Sequence, residues 1–215
     1  DLDRKRNILL AAGLCGKQCD VEAQFSAIET RLVNLETGTF VDAVPEAFDQ
    51  RKAAKDPARS TKLDSDADLA KISRRENQAL IYLVESNGSF EKVILPVHGY
   101  GLWSTLYGFI ALESDLNTVA GLGFYDHAET PGLGGEVDNP RWKAQWPGKK
   151  VYKNGDVELG LLKGAVDPSA PNAKYKVDGL SGATLTGRGV TNLIQFWLGE
   201  NGFRPFLENF KRGEA

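Results

Sequence analysis

Through the middle of the chain apolar residues come in short bursts punctuated by turn residues; at its end they recur at helical spacing. From Ala79, the run Ala-Leu-Ile-Tyr-Leu-Val reads as a strand, Asn87-Gly88 as a hairpin turn and Phe90 to Val97 as the returning strand. Leu106 to Leu112 and Thr118 to Tyr125 read as two further strands joined around Asp115 and Asn117. Pro140 to Trp146 predicts a short helix with proline in its first turn. Residues 149–152 and 157–162 predict a second hairpin around Asn154-Gly155. Val190, Leu193, Ile194, Trp197 and Leu198 share one helical face, and Gly199 ends that helix. Phe203, Phe206, Leu207 and Phe210 predict a last turn or two packing back. Hairpins followed by terminal helices give an α+β fold, a mostly antiparallel twisted sheet flanked by helices.

The first third of the chain reads differently. Ile8 to Leu14 predicts a short amphipathic helix. Over residues 20–38, Val21, Phe25, Ile28, Leu32 and Leu35 follow spacings of four and three between a capping Asp20 and a terminating Gly38, which predicts a single helix. Residues 45–77 carry Pro45, Pro57 and alternating charges from Arg51 to Asp68, with little to bury. They read as a long surface excursion holding one short helix. The expected organisation is an N-terminal helical segment at 1–44, the charged excursion at 45–78 and an α+β domain at 79–215.

Composition narrows the class. Apolar residues at 41% and charged residues at 26% are ordinary for a globular domain and exclude a collagen or a wholly disordered chain. Lys+Arg 26 against Asp+Glu 29 leaves a formal charge of -3, so no basic excess points to nucleic acid. No apolar run approaches the roughly 18–20 residues of a membrane helix. The beginning, Asp1 to Leu14, has the basic-then-apolar order of a signal peptide but is too short and lacks a cleavage site. With Met 0 the chain reads as a processed piece, and Arg4, Lys5 and Arg6 resemble the cluster that often follows a membrane span. Cys15 and Cys19 are the only cysteines; they make a poor zinc site, lack the redox Cys-x-x-Cys spacing and read as structural.

The 23 glycines concentrate in three polar stretches: Gly99-Tyr-Gly-Leu-Trp-Ser-Thr, Glu129-Thr-Pro-Gly-Leu-Gly-Gly-Glu and Asp178-Gly-Leu-Ser-Gly-Ala-Thr-Leu-Thr-Gly. In the third, Gly182 and Ala183 sit among the hydroxyls of Ser181, Thr184 and Thr186, just before a helix. Free N–H groups and the dipole at a helix N-terminus attract an anion, and small side chains let a phosphate approach the backbone. Serine and threonine there are equally good helix caps, so capping and phosphate binding both stand. In the second stretch, Pro131 and three glycines force an exposed turn that suits either a ligandless loop or the edge of a flat aromatic ligand.

Other chemistries lack their residues. Gly121-Leu-Gly-Phe-Tyr-Asp and Gly132-Leu-Gly-Gly-Glu-Val miss the third glycine of a dinucleotide fingerprint. No Gly-Lys-Ser/Thr phosphate loop is present, and Ser181 in Gly-Leu-Ser-Gly-Ala misses the last glycine of a hydrolase elbow. His98 and His127 are the only histidines, which leaves a Ser181 hydrolase few bases; Asp126-His127-x-Glu129 lacks zinc spacing, and His127 reads as structural.

Asp178-Gly-Leu-Ser-Gly-Ala-Thr resembles the flavinylation motif of the FMN-binding domain family, Asp-x-x-Ser/Thr-Gly-Ala-Thr/Ser. Gly101-Leu-Trp, Glu129-Thr-Pro-Gly-Leu-Gly-Gly-Glu-Val, the Trp142/Trp146 segment and Phe196-Trp-Leu-Gly-Glu-Asn-Gly-Phe-Arg-Pro-Phe-Leu extend the likeness over residues 79–207. They resemble the flavin-carrying subunits of membrane-bound, sodium-pumping NADH:quinone oxidoreductases. The resemblance implies an FMN-binding α+β domain with FMN esterified through its phosphate to Thr184, or to Thr186 should the register differ. Ser181, Gly182, Ala183 and Leu185 would surround the phosphate. Glu129, Thr130, Gly132 and Gly134 would line the flavin, and Leu133, Leu180 and Trp103 would cover its ring. Asp178 would serve recognition by a flavin transferase. No metal and no catalytic side chain are implied, because the flavin carries the electrons. The implied partners are the other subunits of the respiratory complex, the transferase and the bacterial inner membrane. The membrane would be reached through a missing N-terminal helix, with the domain on the periplasmic side. The competing readings are the equivalent subunit of an Rnf-type electron-transport complex, the FMN-binding domain of a membrane regulator, a cofactor-free binding module and the Ser181 hydrolase.

Overall fold

The computed structural model describes residues 1–16, 18–42 and 44–215. Helix α1 (Leu2–Ala11) and the short α2 (Val21–Ser26), capped by the Asp20 carboxylate on the Ala23 N–H, precede strands β1 (Ile28–Asn34) and β2 (Thr39–Val41). Helix α3 (Gln50–Lys55) and strands β3 (Ser60–Lys62) and β4 (Arg74–Glu76) follow. The long strands are β5 (Gln78–Ser86), β6 (Ser89–Tyr100), β7 (Thr105–Glu113) and β8 (Val119–Asp126). A 3-10 turn (Gly134–Asp138) leads into α4 (Pro140–Lys143), β9 (Tyr152–Lys153), β10 (Asp156–Val157) and β11 (Gly160–Leu161). A second 3-10 turn (Ala173–Tyr175) joins β12 (Lys176–Val177), α5 (Thr184–Trp197) and α6 (Arg204–Lys211).

The centre is a six-stranded sheet in the order β2-β1-β5-β6-β7-β8. All its pairings are antiparallel. Asn87 and Gly88 both take positive φ in the β5–β6 hairpin, which matches the twist of the strands it joins. Successive residues of β5 are buried on opposite faces. Ile81 and Leu83 join Val93, Leu95 and Ile110 against α5 and α6, where Leu193, Ile194, Trp197, Phe203 and Phe206 are packed. Leu80, Tyr82 and Val84 face the other way with Ile94 and Phe109, under Ile8 and Leu9 of α1. A strand covered on both faces reads as an unbroken apolar run, as β5 does.

Three sequence expectations are corrected. Residues 20–38 do not form one helix: only Val21–Ser26 is helical, and Ile28–Asn34 pairs along its whole length with β5, from Ile28 opposite Val84 to Asn34 opposite Gln78. Ile28 and Leu32 satisfy a period of two as well as of four. The β-branched Ile28, Thr30 and Val33 favour the strand, which supplies partners to an edge of β5 that would otherwise stay open. The 45–77 excursion contains the expected helix, but also the antiparallel pair β3–β4, and it buries Ala53, Ala70, Arg75 and Glu76. The hairpin around Asn154-Gly155 is confined to β9 and β10, while β11 pairs in parallel with β12 and so brings the chain to the third glycine-rich stretch. Cys15 and Cys19 form a disulfide in the loop after α1. No helix among the described residues is long and apolar enough to cross a membrane.

Candidate functional site

The three glycine-rich stretches converge at the N-terminal end of α5. Helix α5 begins at Thr184 with Ala183 at its cap position, and no side chain caps it. The capping reading of Ser181 and Thr184 is therefore corrected: both are exposed and neither closes the first turn. Gly182, with φ +69°, turns the chain into the helix in a conformation that glycine adopts without strain. A β-carbon on Gly182 would lie 3.1 Å from the Leu133 Cδ2, so the second stretch reaches the third at this point.

Thr184 and Thr186 occupy opposite environments. Thr184 is exposed. Thr186 is buried, and its hydroxyl donates to the Glu129 Oε1 at 2.7 Å. Only Thr184 of the two offers a hydroxyl to an incoming group.

Glu129 is the hub. It is 4% exposed, and its carboxylate accepts four hydrogen bonds: from the Leu102 N–H (2.7 Å), the Trp103 N–H (3.0 Å), the Ser104 hydroxyl (2.7 Å) and Thr186. Burial alone would raise its pKa; these donors outweigh it and hold the carboxyl below its ordinary value. Three glycines make the close approach possible. A β-carbon on Gly101 would strike the Glu129 carboxylate at 2.5 Å, and one on Gly134 would strike the Thr186 hydroxyl at 2.5 Å. One on Gly189 would strike the Tyr100 carbonyl oxygen at 2.5 Å.

Around this buried hub the surface is apolar and open. Trp103 is 65% exposed, Leu185 51% and Leu133 43%, while Leu180 is buried. Thr130 is exposed, and its carbonyl accepts from the N–H groups of Leu133 and Gly135. That turn lifts Gly132 (φ +78°) and Leu133 outward. Exposed hydrophobic side chains beside an uncapped helix N-terminus suit a ligand with an anionic end and a flat apolar body.

Asp178 lies half-buried behind the loop. Its carboxylate accepts from the Val166 N–H (2.8 Å) and the Gln145 side-chain amide (3.1 Å). Its own N–H donates to Gln145, and its carbonyl accepts from the Trp142 indole. Ser104, Gln145 and Leu102 are the contributors that sequence reading did not single out. Their only signal was position, Ser104 and Leu102 inside a glycine-rich stretch and Gln145 one turn beyond Trp142. His127 is structural, as expected: Nε2 pairs with Asp138 at 2.8 Å, and Nδ1 accepts the Glu129 N–H. Among the described residues no histidine is bonded to Ser181, and no cluster of metal-ligating side chains occurs.

Residues 101–199 match the sequence model of the FMN-binding domain family, a span that holds the whole of this site. Over its full length the chain is 56% identical to the NqrC subunit of the Na(+)-translocating NADH-quinone reductase of Pseudomonas aeruginosa and covers 84% of it. The chain belongs to the NqrC family of Na(+)-translocating NADH-quinone reductase subunits. The NqrC of Vibrio vulnificus is 50% identical over 99% of this chain and 83% of its own. The fold agrees as well. The crystal structure of Shewanella oneidensis NqrC superposes with a TM-score of 0.90, at 36% identity, over 98% of this chain and 97% of that one. The mostly antiparallel sheet flanked by helices is thus the NqrC architecture.

Proposed function

We propose that this chain is the electron-relay subunit of a sodium-pumping NADH-quinone reductase and carries FMN covalently as a phosphoester of Thr184. The observation that carries the reading is the contrast between the two threonines: Thr184 is exposed on the uncapped first turn of α5, whereas Thr186 is buried on Glu129. The site fits the group. The first-turn N–H groups and helix dipole favour the phosphate, and Gly182 leaves the backbone bare beside it. Leu133, Leu185 and Trp103 offer apolar surface to the ring. Glu129 acts behind them, holding the Leu102–Ser104 loop and α5 in register, so lining of the flavin from this stretch falls to Thr130 and the 131–134 backbone. Asp178 contributes to recognition by a flavin transferase by fixing the shape of the acceptor loop. When bound, the flavin supplies one-electron transfer between neighbouring redox centres, and its covalent link prevents its loss between turnovers.

In the complete complex we place the domain on the periplasmic side of the inner membrane behind an N-terminal anchor. The Cys15–Cys19 disulfide supports that side, since such bonds persist in oxidising compartments. External protease added to spheroplasts should digest the domain, and protection until lysis would reverse the orientation.

The decisive test of the cofactor is intact mass under denaturing conditions after expression alongside a flavin transferase. Ester formation joins the Thr184 Oγ1 to the FMN phosphorus with net loss of water, so the gain is one FMN minus water. Thr184→Ala should lose that gain and keep its unfolding midpoint, because the side chain is exposed. A Thr184→Ala protein that keeps its flavin through denaturation would move the acceptor elsewhere.

A further inference from the structure

Asp178 is held at every polar atom it has. Its N–H donates to the Gln145 side-chain carbonyl at 2.9 Å, and its own carbonyl accepts the Trp142 indole N–H at 2.9 Å. Its Oδ1 accepts the Val166 N–H at 2.8 Å, and its Oδ2 accepts the Gln145 side-chain amide at 3.1 Å. Gln145 makes two of these contacts, one as acceptor and one as donor.

The segment that grips Asp178 is itself anchored. Asn139 caps α4 by accepting the Arg141 N–H at 2.9 Å, and Trp142 and Trp146 are buried edge to face at 5.5 Å. Upstream, the Gly134–Asp138 turn joins α4 directly to the 131–134 backbone. Downstream of Asp178, the Gly179 N–H donates to the Gly164 carbonyl at 2.8 Å, and a β-carbon on Gly179 would overlap the Leu162 carbonyl oxygen. Leu180 is buried. The chain is therefore fixed from Asp178 to Leu180, and the place where Asp178 is held sets where Ser181 to Thr184 emerge. Gln145 connects the loop offered to the flavin with the loop that offers the hydroxyl.

We propose that Gln145 is a positioning residue for flavin attachment. It holds Asp178, and through it the Thr184 hydroxyl, in the geometry that a flavin transferase accepts. Asp178 then acts inside this chain, not as a charge that the transferase reads. The inference rests on Thr184 being the acceptor. A misplacement of about 1 Å at a reacting group costs on the order of a hundredfold in rate, so one broken contact behind the loop is enough.

The pair can be reversed without being lost. In the double variant Gln145→Glu with Asp178→Asn, the new carboxylate at 145 accepts both the 178 N–H and the new side-chain amide at 178. The carbonyl of that amide still accepts the Val166 N–H. Net charge is unchanged, and the carboxylate has moved across one hydrogen bond. In Asp178→Asn alone, donor faces donor whichever way the two amides turn. In Gln145→Glu alone, carboxylate faces carboxylate.

The test expresses the full chain with a flavin transferase. Loading is followed over time after induction as the fraction that gains the mass of one FMN minus water under denaturing conditions, beside the urea midpoint. Asp178→Asn, Gln145→Glu and Gln145→Ala should each load at about a tenth of the wild-type rate or less, and the double variant should return to within about threefold of it. Phe210→Leu loosens the ring contacts to Phe40 and Phe90 and lowers the midpoint, yet it should load at the wild-type rate. A double variant with the wild-type midpoint that loads as slowly as Asp178→Asn would mean that the transferase reads the carboxylate itself, and would overturn the inference. Equal slowing in Phe210→Leu would also overturn it, by reducing the effect to global stability. Should the double variant not fold, Gln145→Ala decides, and loading at the wild-type rate there overturns the inference. No mass gain in the wild type would instead overturn the Thr184 reading, and this inference with it.

Discussion

At the scale of single residues the site rests on one buried carboxylate. Glu129 satisfies two backbone N–H groups of the Leu102–Trp103 loop, a serine hydroxyl and a threonine hydroxyl on α5. Glu129→Gln keeps the size but leaves one carbonyl oxygen to serve donors that two oxygens served, and its amide brings new donors into the same space. At about 1–3 kcal/mol for each buried polar group left unpaired, the variant should unfold at clearly lower denaturant. It should also release Trp103, which would show as a change in indole emission in the native state. An unchanged unfolding midpoint together with unchanged emission would remove Glu129 from this role. The sequence hinted at the residue only through its neighbours: Glu129 opens a glycine-rich turn, and nothing in Glu-Thr-Pro-Gly-Leu-Gly-Gly tells that its side chain points inward. The acceptor loop was far more legible, because Asp178-Gly-Leu-Ser-Gly-Ala-Thr stands directly before a strongly periodic helix.

At the scale of elements, α5 is pressed onto the end of β6. Gly189 makes that possible, since a β-carbon there would lie 2.5 Å from the Tyr100 carbonyl oxygen and 2.9 Å from the Gly101 Cα. Alanine is about 1 kcal/mol better than glycine within a helix. Here that gain is outweighed, because the obstructing atoms are backbone and cannot rotate away. Gly189→Ala should therefore destabilise the protein by about 1–3 kcal/mol in chemical denaturation and, by tilting α5 from the Trp103 loop, slow covalent flavin loading. A stabilised Gly189→Ala with full loading would show that the contact is soft. The same elements show what patterning can and cannot resolve. Strands β5 to β8 were readable because they are apolar runs bounded by turn residues such as Asn87-Gly88, and helix α5 because its period is unambiguous. Strand β1 was not, because Ile28 and Leu32 satisfy both periods and only pairing with β5, some fifty residues away in sequence, decides between them. The two-residue strands β11 and β12 carry no periodicity and exist through their parallel pairing alone.

At the scale of the whole molecule, three buried ionisable groups give the fold a pH dependence that the wild-type profile largely conceals. Glu76 is pushed up to about 7 by burial, against a hydrogen bond from Gln50, so the folded protein keeps it protonated over a range where the unfolded chain does not. Its contribution is complete below pH 4.5 and is lost as pH rises through 7, a change of about 3 kcal/mol. His98 is pushed down to about 4 by burial and by Arg51, held neutral between the Tyr107 and Trp197 rings. Its contribution is complete above pH 6.5 and is lost as pH falls toward 4, by a similar amount. Between pH 4.5 and 6.5 the two slopes have opposite signs and nearly cancel, so these two groups leave wild-type stability flat there. Glu129, held below its ordinary value by its four donors, adds a loss only as pH falls from 4.5 through its lowered value. Urea unfolding at a series of pH values separates these contributions. Glu76→Gln should expose the His98 slope, becoming less stable toward acid across pH 6.5 to 4.5 and losing the decline between pH 6.5 and 8. His98→Gln loses ring packing and should be weaker throughout, yet it should become more stable toward acid over that same window. Glu129→Gln should flatten only the limb below pH 4.5. Profiles parallel to wild type in all three variants would mean that none of these burials governs stability, whereas opposite tilts in the first two would show that the balance is set by one acid on β4 and one base on β6.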